Sequence, residues 1–255
     1  MKMLEGKKGL IIGLANNKSI AWGVAQLCKE HGAELGFTYL NEALEKRVRP
    51  LAESLGSKLI TECDVQKDDD IVRLFNEVEK QWGTLDFVVH SVAFAAADDL
   101  KNRFHLVSRD GFKLAMDVSA YSLVKITAEA KRLMPGGGSI VTMTYYGAEK
   151  VVPNYRIMGV AKAALEASVR ELAADLGPEL IRVNAISAGP IRTLASSGVS
   201  DFKALMSGFE ARAPMKQLVT IEDVGNAAVY LLSDMSRCVT GEVHHVDCGF
   251  SITAA

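Results

Sequence analysis

Short runs of β-branched and apolar residues alternate along this chain with longer segments whose apolar positions recur at helical spacing. The runs Gly9 to Gly13, Leu35 to Leu40, Lys58 to Thr61 and Leu85 to His90 read as strands. Between them the periodicity predicts helices over Ser19 to His31, Asn41 to Leu55 and Asp68 to Trp82. A helix near Arg109 to Leu133 follows, then strands at Ser139 to Thr144, Arg182 to Ile186 and Glu242 to Val246. Long helices are expected from about Pro153 to Leu176 and over Ile221 to Leu232. Thr220 and Asp223 have the spacing of a capping box at the start of the latter.

Strands that alternate with helices pair in parallel, because each crossover returns the chain to the same end of the sheet. The expected fold is α/β: a doubly wound (Rossmann) sheet of seven parallel strands flanked by helices, with residues 1–255 forming a single domain. Residues Ala195 to Met215 break the alternation after the turn Ser187-Ala188-Gly189-Pro190 and read as a loop with short helices. Insertions at the carboxyl ends of parallel strands border the ligand crevice, so this stretch is expected to be a substrate lid near 195–215.

Composition narrows the classes. With 49 % hydrophobic and 24 % charged residues over 255 positions, the chain can bury one substantial core. A net charge of −2 with scattered Lys and Arg argues against nucleic acid as a partner. No apolar run reaches the ~18 residues of a membrane span, and Asn16, Asn17 and Lys18 end the run Leu10 to Leu14 before an export-signal core forms. The four cysteines are far apart, so neither disulfides nor a metal site is expected, and a cytoplasmic location fits. His90 and the pair His244-His245 have no carboxylate or cysteine at ligand spacing.

Candidate chemistry gathers at the predicted strand ends. Gly13 makes the tight turn after the first strand, and Ser19, Ile20, Ala21, Trp22 and Gly23 open the next helix. This departs from G-x-G-x-x-G yet offers a pyrophosphate close backbone approach and free amides, with Ser19 placed to cap the helix. Asp64 and Val65 suit an adenine amine and ring, against a bland reading of Asp64 as a helix cap. Ser91, Val92 and Ala93 combine small size with backbone amides. Leu40, Asn41 and Glu42 put no cation directly at the turn to meet a ribose 2′-phosphate, which favours NADH over NADPH, although Lys46 and Arg47 lie one turn further on.

Tyr155 and Lys162 are seven residues apart on the helix expected from Pro153. At ~3.6 residues per turn they project from nearly one face, about 10 Å apart in rise, and can flank one cofactor. A protonated phenol can stabilise an enolate, while an ammonium can hold a ribose and add positive potential.

The segment Tyr145-Tyr146-Gly147-Ala148-Glu149-Lys150-Val151-Val152-Pro153-Asn154-Tyr155-Arg156-Ile157-Met158-Gly159-Val160-Ala161-Lys162 resembles the short-chain dehydrogenase/reductase superfamily. Its tyrosine–lysine spacing is similar to that of the divergent branch, the bacterial enoyl-acyl-carrier-protein reductases. Ser19-Ile20-Ala21-Trp22-Gly23, His90-Ser91-Val92-Ala93-Phe94-Ala95, Ser187 to Thr193 and Gly241-Glu242-Val243 match as well, so the likeness spans essentially the whole chain. Met158 stands where the common branch needs tyrosine, and Thr142-Met143-Thr144-Tyr145 lacks that branch's strand serine.

The resemblance implies reduction of the trans-2 double bond of enoyl thioesters on acyl carrier protein, with NADH, in fatty acid elongation by a homotetramer. It implies NADH contacts for Gly13, Ser19, Ile20, Leu40, Asp64, Val65, Val92, Lys162, Ile191, Arg192, Thr193, Leu194 and Ala195. Tyr145 corresponds to the second active-site tyrosine, and Ala95 lies beside the substrate. Ala93 and Cys248 replace glycines usual in relatives.

Relative to the common branch, the longer spacing is expected to move the phenol about 4.5 Å along the helix and make room for a conjugated thioester. Phe94, Ala95, Met158, Ala195, Phe202, Leu205 and Met206 are candidates for an acyl channel, and Lys203, Arg212 and Lys216 for docking acidic carrier protein. The competing readings are a carbonyl reductase or alcohol dehydrogenase on the same scaffold, and an inert NADH-binding regulator.

Overall fold

The computed structural model describes residues 2–194, 196 and 201–253. Seven strands, β1 (Lys8–Ile12), β2 (Glu34–Tyr39), β3 (Leu59–Glu62), β4 (Phe87–His90), β5 (Gly138–Thr144), β6 (Ile181–Ala188) and β7 (Val243–Val246), form one sheet in the order β3-β2-β1-β4-β5-β6-β7. Every pair is parallel. Ile12 lies opposite His90, His90 opposite Thr142 and Thr144 opposite Ser187, so the carboxyl ends share one edge. The strand order reverses between β1 and β4, which opens a crevice there.

The two-residue strand period sends alternate side chains to opposite faces: Ile11 joins the core under α1 (Ile20–Glu30), α2 (Glu42–Ser54) and α9 (Ile221–Leu232). Leu10 and Ile12 join the core under α3 (Asp68–Trp82), α6 (Ser122–Lys131) and α7 (Ile157–Leu176). Helices α1 and α9 cross backbone to backbone, since a Cβ on Gly23 would fall 2.3 Å from the Ile221 carbonyl oxygen. The Thr220–Asp223 capping box is present at the start of α9.

Four expectations change. The helix read over Arg109 to Leu133 is two helices, α5 (Arg109–Met116) and α6, joined by a π turn at Asp117–Tyr121. The widened turn lets two serines face inward: Ser119 Oγ accepts from the Phe94 amide at 3.0 Å, and Ser122 Oγ donates to the Val118 carbonyl at 2.7 Å. A short helix, α4 (Ala97–Lys101), forms where no periodicity was read.

Helix α7 begins at Ile157, not near Pro153. Asn154 and Arg156 have φ of 63° and 48°, which a right-handed helix excludes, so Pro153 to Arg156 form turns instead. The lid stretch contains one regular helix, α8 (Phe202–Arg212), instead of short pieces. It is anchored by Phe209, buried and stacked on Phe250 at 4.6 Å. Ala195 lies outside the described residues.

His90 is fully buried at the carboxyl end of β4. Its Nε2 meets Ser122 Oγ and its Nδ1 meets Thr142 Oγ1, both at 2.8 Å. Ser122 gives its one proton to Val118, so Nε2 donates to Ser122 Oγ, while Thr142 Oγ1 also reaches the His90 carbonyl at 3.3 Å. Burial and the nearby Lys162 ammonium pull its pKa down to about 3. The unfolded chain binds a proton here below pH ~6.5 that the folded chain refuses. Stability carried by the neutral ring is complete above that pH and falls as pH drops toward 3, by at most about 1.4 kcal/mol per pH unit from this group. Denaturant titrations between pH 7 and 5, with NMR of the ring, are expected to show falling stability and no His90 titration above pH 4; a ring titrating near 6.5 contradicts this.

Candidate active site

Strand β5 ends at Thr144, and the chain turns through Tyr145 into a 3-10 turn at Tyr146–Ala148. The Tyr145 and Tyr155 rings meet edge to face, with centroids 4.9 Å apart. Tyr155 is brought there from the turn that precedes α7, not from a helical face, so neither the shared-face argument nor the helical rise inferred for the tyrosine–lysine spacing describes this geometry.

Two glycines to which the sequence reading gave no role make the approach possible. A Cβ on Gly147 would stand 2.4 Å from Tyr155 Cδ1, and one on Gly159 would stand 2.7 Å from the Gly147 carbonyl oxygen. The signal available was their position on either side of Tyr155 in the sequence.

Lys162 is buried on α7 and donates from Nζ to the Met143 carbonyl at 2.6 Å. Burial lowers its pKa to about 8, against an opposing pull from Glu166. An ammonium has three donors, so capacity remains for a ligand hydroxyl. Burial raises the Tyr145 pKa to about 12 and pushes Tyr155 higher still, helped by Tyr145 and Glu166. Both phenols therefore keep their protons, and can donate, across the neutral range.

Around the crevice, Gly13 has φ of 100°, and a Cβ there would meet the Ser91 carbonyl oxygen at 2.2 Å and Val92 Cγ2 at 3.2 Å. Gly13, Ser91 and Val92 are thus brought together between β1 and β4. Ser19 corrects one expectation: its hydroxyl accepts from the Ala15 and Asn16 amides at 3.2 and 3.1 Å and makes no cap bond to α1. The start of α1, at Ile20, is left without a side-chain cap, as an anion-binding helix terminus requires.

Leu40 is exposed at the end of β2, and Val65 is buried beside Asp64 beyond β3. Asp64 does not cap α3, whose N-cap is Lys67; it accepts from the Gln66 amide at 3.1 Å and pairs with Lys67 at 3.4 Å. Lys46 is paired with Glu42 at 2.8 Å. Beyond β6, half-buried Ile191 packs on the core, Arg192 and Leu194 are exposed, and Thr193 exchanges hydrogen bonds with Ser196.

Ala95, Met158 and Tyr155 share one small apolar cluster with Leu100, Ala115 and Ile157. A cavity of ≈390 Å³ opens beside Tyr155, lined by Phe104, Gly147 to Pro153, Arg156, Gly159, Val160 and Ala163. Met206 is half-buried on α8. Of the expected docking cations, Lys203 is exposed, Arg212 lies 4.8 Å over the Phe250 ring and Lys216 donates to the Ala211 carbonyl. Among the described residues no group of His, Cys, Asp or Glu is placed to hold a metal, and no helix is long and apolar enough to cross a membrane.

The tight seat of Gly147 yields a direct test. Gly147→Ala is expected to swing the Tyr155 ring off Tyr145 and to destabilise the fold by about 1–3 kcal/mol, as overpacking does. A lower Tm with an altered tyrosine signal in near-ultraviolet circular dichroism is the readout. Unchanged Tm and spectrum would mean that the glycine is not needed.

Comparison with known proteins agrees with this geometry. Residues 13–251 match the family model described as enoyl-(acyl carrier protein) reductase. The chain is 57 % identical over 250 residues to the enoyl-acyl-carrier-protein reductase (NADH) FabI of Rickettsia prowazekii, covering 98 % of this chain and 96 % of the relative. A crystal structure of the reductase from Anaplasma phagocytophilum in complex with NAD superposes with a TM-score of 0.96 at 53 % identity, covering 99 % and 97 % of the two chains. The Bacillus cereus reductase, solved with NADP+ and an indole naphthyridinone, superposes with a TM-score of 0.98 at 50 % identity over 100 % of both chains. A phenol pair and a buried ammonium at the carboxyl edge of a parallel sheet, within a match of this extent, place the chain in the enoyl-acyl-carrier-protein reductase family.

Proposed function

We propose that this chain reduces the trans-2 double bond of enoyl thioesters carried on acyl carrier protein, using NADH, in fatty acid elongation. The observation that carries the reading is the Tyr145–Tyr155 pair beside the buried Lys162 ammonium at the edge of the crevice. NADH, when bound, would supply a hydride to the β-carbon of the enoyl group, and a proton from solvent at the α-carbon completes the reduction.

The residues of this chain do the rest. The uncapped start of α1 with Gly13, Ser19 and Ile20 receives the pyrophosphate. Asp64 and Val65 take the adenine, Leu40 packs beside it, and Ser91, Val92 and Ile191 to Leu194 line the dinucleotide. Lys162 spends its free donors on the nicotinamide ribose and adds positive potential. As negative charge builds on the thioester oxygen, the Tyr155 hydroxyl donates to it, and Tyr145 buttresses that ring and borders the substrate. Ala95, Met158 and Met206 supply apolar contacts to the acyl group, under a lid built on α8. Exposed Lys203 is a docking charge for acidic carrier protein.

A carbonyl reductase on this scaffold is disfavoured by the strand hydroxyls. Thr142 is engaged with His90, and Thr144 donates to Glu166 at 2.7 Å, so neither is offered to a substrate carbonyl. The preference for NADH rests on the end of β2, where Asn41 caps α2 and Lys46 is engaged by Glu42. Residues 1–255 are taken as one domain, and four free cysteines suit a reducing cytoplasm. Phe112, Tyr121, Val124 and Val160 are exposed on α5, the π turn, α6 and α7. These exposed apolar side chains are assigned to contacts with a second copy of the chain within a homotetramer.

Oxidation of NADH with a crotonyl thioester tests the reading against a ketone panel. Tyr155→Phe is expected to lower kcat about 10²- to 10⁴-fold with little change in KM, the pattern of a contact made in the transition state. Full activity of that variant, faster turnover with NADPH, or ketone reduction instead, sinks the corresponding part. Sedimentation is expected to show a tetramer, and a charged residue at Val124 to dissociate it; a wild-type monomer contradicts the interface.

A further inference from the structure

Glu166 is a buried carboxyl with no part in the chemistry above. It is 7 % exposed on α7, one turn beyond Lys162, where positions four apart lie on the same face. A buried carboxylate is costly unless a donor meets it, and Thr144 Oγ1 donates to Glu166 Oε1 at 2.7 Å. Thr144 stands between Met143, whose carbonyl accepts from Lys162, and Tyr145, whose ring abuts Tyr155. Helix α7 therefore grips the end of β5 at two successive residues, by an ammonium on a carbonyl and by a carboxylate on a hydroxyl.

We infer that Glu166 is a positioning residue of this site: through Thr144 it fixes the Tyr145 end of β5, and its carboxylate keeps the neighbouring Lys162 ammonium charged. The inference deepens, and rests on, the reading of Lys162 as the cation that meets the cofactor.

The electrostatic surroundings bear on it from each side. Burial lowers the Lys162 pKa to about 8, and Glu166 acts against that burial. On the other side of Lys162, His90 is neutral and adds no repulsion. Glu166 faces Glu149 from the loop after β5, Arg170 one turn further along α7 and His245 on β7. Burial and Glu149 push its carboxyl up, while the Thr144 hydroxyl, Arg170 and His245 pull it down. His245 Nε2 itself lies 3.0 Å from Glu149 Oε1.

Glu166→Gln separates the two roles, because the amide oxygen can still accept from Thr144 while the charge is gone. The primary readout is the titration of Lys162 in the cofactor-free protein, by NMR of ¹³Cε-labelled lysine assigned through Lys162→Arg. Lys162 is expected to titrate near pH 8 in the wild type and lower in Glu166→Gln, as loss of an opposite charge one helical turn away requires. The basic limb of the kcat/KM profile should move by the same amount. Thr144→Val should instead lower kcat at pH 6.5 and leave that limb in place, with Thr144→Ser restoring kcat.

An unchanged Lys162 titration in Glu166→Gln overturns the charge coupling, and full activity of Thr144→Val overturns the clamp. Should Glu166→Gln not fold, the same coupling is read from the other partner: in Lys162→Met the Glu166 carboxyl must titrate at higher pH, and no movement refutes the proposal. A wild-type protein that fails to reduce crotonyl thioester but shows the Lys162 shift would sink the functional reading and leave the coupling standing.

Discussion

A buried ammonium tied to the last turn of a strand organises this site. Lys162 has given up most of its water, and in exchange Nζ reaches the Met143 carbonyl at the end of β5. Such a charge is tolerated only with strong partners, because its desolvation is otherwise unrecovered. The sheet supplies the partner by ending β5 beside α7, and the site's other groups are placed around the same junction. Tyr145 leaves the strand two residues after the accepting carbonyl, and Tyr155 closes on it from the turn before α7.

Around the junction backbone packs directly on backbone, and several buried polar side chains are paired. Gly147 and Gly159 let the 3-10 turn after β5 rest directly on the start of α7, with no side chain between them. Behind the strand ends, His90 is locked between Ser122 and Thr142, and Ser119 holds the Phe94 backbone through both its amide and its carbonyl. Both serines face inward because the π turn at Asp117–Tyr121 interrupts what periodicity presents as one helix. π turns recur where a helix must serve a site, and here the turn aims polar side chains at the residues that follow β4.

Strain is placed close to the chemistry as well. Arg156, immediately after Tyr155, takes φ of 48°, and Cys248 takes 54°. A positive-φ backbone outside the left-handed helical well, as at Arg156 with ψ of −124°, costs a non-glycine residue on the order of 1–3 kcal/mol. At Arg156 that cost accompanies the reversal that carries the Tyr155 ring back toward Tyr145.

By itself the sequence determined the seven strands, the parallel sheet and the α9 capping box, and it singled out Tyr145, Tyr155 and Lys162 as candidates, because these follow from periodicity, turn chemistry and motif spacing, all local in the chain. The Pro153-Asn154 turn signal was also there, but the long apolar period that follows masked it and moved the expected helix start back by a turn. Tertiary structure decided the rest. The Ser19 hydroxyl turned into its own loop, α8 became a continuous helix on Phe209, and a cavity formed beside Tyr155 from the loop after β5 and the start of α7. Those outcomes, like the meeting of Glu166 with Thr144, depend on which surfaces of distant segments are pressed together. Local spacing does not encode that choice, because it is settled by burial and by the pairing of polar groups once the sheet has closed.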